Sequence, residues 1–158
     1  MKEANKYGYE DKNYASFIAR LGAYVIDGLI ISAIITLVYK LGILAALGVS
    51  FDSSQLLDPS YSLSNNTGYL IATFIISILY YTILQATKWQ ATVGKKILGI
   101  EVTTLDGNRI SILTSFLRAV IMTFISSIFY IGFLMFFFTK KKQTLHDLLP
   151  ATIVVKAR

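Results

Sequence analysis

The sequence predicts an all-α integral membrane protein: two transmembrane helices, a third apolar region folded as a re-entrant or tilted helical hairpin, and a small cytoplasmic β element. Three observations predict it. Of the 158 residues, 54% are hydrophobic and the mean hydropathy is +0.59, which points to lipid as the solvent for much of the chain. Two long apolar runs are each long enough to cross a bilayer. The basic residues behind the net charge of +6 flank these runs instead of forming one stripe, the pattern of a cytoplasmic membrane face and not of a nucleic-acid surface.

The chain reads as one domain, residues 1–158. Residues 1–16 are polar and of mixed charge, so the first apolar run lies too far in and is too long for a cleavable leader and is read as a retained helix. That helix covers 17–39 and can continue past Lys40 toward Leu47. Segment 48–67 carries Asp52, Asp58, Pro59, Asn65 and Asn66 and no basic residue, so it is read as an external loop. Helix 68–86 has no charged residue, and Tyr69, Tyr80, Tyr81 and Trp89 suit the two interfaces. It returns the chain to a cytoplasmic loop, 87–110. There residues 97–104 read as a strand closed by an Asp106-Gly107 turn, with a second β-prone run at 151–155.

The third apolar region, 110–138, raises a parity problem. A single crossing would put Lys140, Lys141, Lys142, Lys156 and Arg158 outside, against the positive-inside rule. Ser126, Ser127 and Gly132 lie near its middle, so it divides into two helices of about 12 to 14 residues, roughly 20 Å each and short of a ~30 Å hydrocarbon core. The hairpin keeps the C-terminal segment 139–158 and both termini cytoplasmic, in a multi-pass protein of the cell membrane; a single span is the rival.

Asp27 stands inside the first apolar run. An aspartate at a helix centre costs roughly 2.5 to 3.5 kcal/mol, so it is expected to face protein or water and to have a partner. Arg20, one heptad earlier, shares its helix face about 10 Å away along the axis and is the expected charge partner. After the lysine run comes Thr144-Leu145-His146-Asp147. In the hairpin topology Asp147 lies on the side of Arg20, and the three groups form one cluster at the cytoplasmic boundary.

At these residues the chain resembles the RDD membrane proteins, named for one arginine and two aspartates. The resemblance rests on Phe17-Ile18-Ala19-Arg20-Leu21 through Asp27, on Trp89-Gln90-Ala91-Thr92-Val93-Gly94-Lys95 with Leu98-Gly99-Ile100, and on Thr144-Leu145-His146-Asp147. It implies that Arg20, Asp27 and Asp147 are the naming residues. Many relatives carry Glu where this chain has Gln85, and Pro where it has Val93. The family includes transport-related members, some linked to exchange of cations for protons.

Ionised, the three groups sum to minus one, which leaves room for a proton or a monovalent cation at Asp27 and Asp147. This is the leading functional expectation, transport of a cation or small solute with proton coupling. In the opposing reading Arg20 and the aspartates are a structural clamp, and the protein is a non-transporting accessory that binds and regulates another membrane protein. His146 is either a proton relay or a local hydrogen-bonding group. Gly94-Lys95-Lys96 lacks the spacing and the helix of a phosphate-binding loop, so Lys95 and Lys96, with Lys140, Lys141 and Lys142, are expected to touch lipid headgroups. With no cysteine and one histidine, no thiolate chemistry or multi-histidine metal site is expected. No cofactor loop or catalytic set marks an enzyme. A transporter with so thin a wall would need to be a homo-oligomer, most simply a dimer.

Overall fold

A computed structural model describes residues 14–49, 67–128, 136–139 and 141–157. Most of the external-loop segment, Gly132 and Lys140 lie outside the described residues. The fold is mostly helical, with one small sheet and two helices long and apolar enough to cross a membrane, Phe17–Lys40 and Thr67–Ala86.

Helix α1, Phe17–Lys40, starts where the Ser16 hydroxyl accepts from the Ala19 amide at 3.2 Å, an ordinary N-cap. Its buried residues are Arg20, Ala23, Asp27, Ile31 and Ile35, a stripe spaced by three and four that marks one helix face. Ile18, Val25, Leu29 and Leu37 are exposed. This is the reverse of a water-soluble helix, whose charges face out. The helix does not run on to Leu47: Gly42, at φ +71°, turns the chain, and a separate short helix α2, Ile43–Ala46, follows.

Helix α3, Thr67–Ala86, packs along α5, Ile112–Ile128. The Ser115 hydroxyl donates to the Thr82 carbonyl at 2.8 Å, and Phe74 meets Phe124 edge-on at 4.8 Å. Arg109 closes the other end of α3 by donating to the Ala86 carbonyl through Nε, at 2.8 Å, and Nη2; a cation there also suits the negative end of the helix. Helix α5 continues through Ser126 and Ser127 to Ile128, so the helix does not end at the serines; the rest of the expected dividing stretch, with Gly132, lies outside the described residues. Beyond the undescribed stretch, Phe136 and Phe137 lie against Phe17 at 5.6 and 5.1 Å, at the start of α1.

Between α3 and α5 the chain forms α4, Val93–Ile97, and strand β1, Ile100–Thr104. The expected strand thus starts three residues late, because Thr92 caps a turn of helix with its side chain. Strand β2, Thr152–Lys156, pairs antiparallel with β1, with Ile100 opposite Lys156 and Thr104 opposite Thr152. The Ala15 amide donates to the Val154 carbonyl at 3.0 Å, so the entrance to α1 is tied to this sheet. Ala15, Ala23, Ile100, Val102, Ile110 and Val154 form the core beneath it, and Ile31, Ile35, Tyr81, Ala119 and Met122 form a second core between the long helices.

Candidate functional site

The site lies where α1, α4, α5 and the short helix α6, Leu145–Leu148, converge. Asp27, 1% exposed, is held by three donors from two other parts of the chain. Its Oδ1 accepts from the Tyr80 hydroxyl and the Gly94 amide, each at 2.8 Å. Its Oδ2 accepts from the Thr92 hydroxyl at 2.6 Å. Thr92 uses both sides of its hydroxyl, since the oxygen also accepts from the Lys95 amide at 3.4 Å as the cap of α4. The arrangement depends on Gly94: there α4 crosses α1 so closely that a Cβ would fall on the Ala23 carbonyl oxygen.

Arg20 is therefore not the partner of Asp27. Its Nη1 pairs with Asp147 Oδ2 at 2.5 Å, and its Nη2 donates to the Val154 carbonyl at 3.3 Å. The heptad spacing put Arg20 and Asp27 on one face correctly, but a 10 Å axial offset exceeds direct contact. The guanidinium also sits over the Phe136 ring at 5.2 Å, close enough for a cation–π contact.

Asp147, fully buried, carries a second ion pair: Oδ1 lies 2.5 Å from Arg118 Nη1. Its Oδ2 also accepts from the Thr144 amide at 3.2 Å. Burial opposes the charge on Asp147, yet Arg118, His146, Arg20 and Lys95 together outweigh it and hold the carboxyl well below the usual carboxylate range. Arg118 donates further to Gln85 Oε1 at 3.0 Å and to the Thr152 hydroxyl at 2.7 Å. One carboxylate thus joins α1, α5 and, through Thr152, strand β2.

His146 is buried 3.0 Å from the Thr144 hydroxyl. Burial, against the pull of Asp147 and with the push of Arg118, Lys95 and Arg20, brings its pKa down to about 3. The imidazole is neutral near pH 7, so its 3.9 Å approach to Asp147 is no ion pair there.

Lys95 is the other correction. Instead of meeting headgroups it is 7% exposed and lines a cavity of ≈ 20 Å³ with Arg20, Asp27, Arg118 and His146. Burial brings its ammonium down to about 7; Arg118 lowers it further, and Asp147 and Asp27 partly oppose. Lys96 and Lys142 are exposed. The charge sum changes too. Arg118, which the count from sequence left out, joins Arg20 beside the two aspartates.

Tyr80, Thr92, Gly94 and Arg118 entered no sequence expectation as site residues. Arg118 had a readable signal, a charge inside the apolar region 110–138, the criterion that singled out Asp27.

Residues 14–150 match the RDD family. The chain is 36% identical to the Uncharacterized protein YxaI of Bacillus subtilis (strain 168) over 148 residues, 89% of this chain and 96% of the relative. It is 30% identical to the Uncharacterized protein YckC of the same organism over 149 residues, 90% of this chain and 85% of the relative. No solved structure matches. With the arginine and both aspartates gathered in one buried site and the match spanning nearly all described residues, the chain belongs to the RDD family.

Proposed function

We propose that the protein is a multi-pass protein of the cell membrane, both termini cytoplasmic, in which Arg20, Asp27 and Asp147 fasten the spans to the small sheet. It acts as an accessory that binds another membrane protein, not as a carrier or an enzyme. The observation that carries the clamp is that every carboxylate oxygen of the pair is engaged by another element: Asp27 by Tyr80, Thr92 and Gly94, and Asp147 by Arg20 and Arg118. A cation would have to displace these donors, and the two guanidiniums already neutralise the two acids.

Lipid exposure is supported by the apolar outward faces of α1 and α3, with Leu29 at 68% and Ile71 at 54% exposure. The hairpin is supported by two contacts. Phe124 meets Phe74, about 18 Å along α3 from Ala86, whereas Phe136 meets Phe17 at the end of the molecule that holds the sheet. Because the chain has no cysteine, single reporters test the topology. Leu47→Cys is expected to react with an impermeant maleimide on intact cells and Lys142→Cys only after lysis; labelling of Lys142→Cys from outside would replace the hairpin with a single crossing.

One observation favours the transport reading as the alternative. A larger cavity of ≈ 380 Å³ between α1, α3 and α5 shares Tyr24, Tyr81 and Met122 with the ionic cavity, so the two lie side by side across these side chains. The deciding experiment is proton movement in proteoliposomes under sodium or potassium gradients. No flux is expected from folded wild-type protein. Asp27→Asn is expected to lose about 1–3 kcal/mol of stability, because an amide cannot accept from three donors. Flux that vanishes in a folded Asp27→Asn protein would establish the carrier.

A further inference from the structure

The small cavity holds more donors than acceptors. Two guanidiniums and two carboxylates balance, but Lys95 in its protonated form adds a positive charge, and among the described residues no carboxylate lies within ion-pair distance of it. Arg20 Nε and Arg118 Nη2 are also buried without a hydrogen-bond partner among those residues, as is Asp147 Oδ1, whose one close contact is the Arg118 ion pair at 2.5 Å. Asp27 accepts from three donors and both oxygens of Asp147 are taken up in ion pairs with Arg20 and Arg118, so what the cluster lacks is negative charge beside Lys95. A buried ammonium left so is costly. The space, ≈ 20 Å³, exceeds the ~10–15 Å³ that one water needs and suits a single halide, not a carboxylate or phosphate.

We propose that this cavity binds one small monovalent anion of chloride size, held by the Lys95 ammonium with Arg118 and Arg20 beside it. The anion accepts from the three cationic side chains that line the cavity, Lys95, Arg20 and Arg118, and it brings the cluster to neutrality. A cation has no free oxygen to take, and a water molecule supplies an acceptor but no charge. Gln85 decides the charge count: its Oε1 accepts from Arg118 Nε at 3.0 Å, where a carboxylate would balance the cluster and leave the anion no role. The inference stands apart from the accessory reading, since an anion can be structural or transported.

The test is thermal unfolding of the purified full chain in detergent as sodium chloride replaces sodium gluconate at constant ionic strength. Wild-type protein is expected to gain about 5 °C, saturably, with bromide equivalent and sulfate inert. Lys95→Met and Gln85→Glu are each expected to lose the chloride effect. Broadening of the chloride-35 resonance by wild-type protein, reversed by bromide, reads binding without any variant. An unfolding temperature and a chloride resonance that ignore the anion would overturn the site, as would an undiminished chloride effect in folded Lys95→Met or Gln85→Glu protein.

Discussion

Asp147→Asn is expected to be the most damaging single substitution in the ionic site, at about 3–5 kcal/mol, a large share of the ~5–15 kcal/mol typical of a whole domain. The asparagine would fit in volume but would leave Arg20 and Arg118 buried beside a neutral group. Both guanidiniums lose their counter-charge at once, since Arg20 Nη1 and Arg118 Nη1 each reach an oxygen of this one carboxylate. The loss is read as the midpoint of thermal unfolding in detergent. Combining Asp147→Asn with Arg118→Met is expected to recover part of it, a coupling of roughly 0.5–3 kcal/mol. Equal unfolding of Asp147→Asn and wild-type protein would refute the clamp. The contribution is insensitive to mild acid. The folded-state pKa of Asp147 is depressed, so this stability is present above the unfolded value of ~3.9 and is lost only as pH falls through the lower folded value.

The long helices were legible because length and hydropathy act locally: α1 and α3 begin and end within a residue of the expected positions. The paired strands were legible from β-branched runs. The site was legible in part, and for one reason. A charge in an apolar run announces itself, which found Asp27, but its partner is chosen by tertiary packing. Arg20 shares a face with Asp27 yet bonds to a residue more than a hundred positions away, and neutral donors from Tyr80, Thr92 and Gly94 serve Asp27 instead. Tyr80 read as an interface aromatic because only its ring, not the reach of its hydroxyl, is visible in composition. Lys95 and Lys96 are adjacent and chemically identical, and the turn of helix that follows Thr92 sends one inward and the other out. No one-dimensional pattern separates such a pair unless the helix start is known.

Gly94→Ala tests whether that turn of helix is what holds Asp27. An added Cβ would fall on the Ala23 carbonyl oxygen and stand 2.9 Å from Asp27 Oδ1. The first of these is backbone inside α1 and cannot rotate away, so α4 must retreat. Retreat removes the Gly94 amide and the Thr92 hydroxyl from Asp27 together, leaving a buried carboxylate with Tyr80 alone. The expected cost is about 3 kcal/mol or more, from two lost charge-assisted bonds and the displaced packing. Gly28→Ala is the control. It lies one residue after Asp27 in the same helix, and a Cβ there meets nothing within 4 Å, so alanine is expected to be neutral or to stabilise by roughly 0.5–1 kcal/mol through helix propensity. Opposite shifts in unfolding temperature for the two substitutions would locate the constraint at the α1–α4 crossing. If Gly94→Ala is as stable as Gly28→Ala, the crossing is looser than its geometry, and Asp27 owes its burial to Tyr80 and the long helices instead.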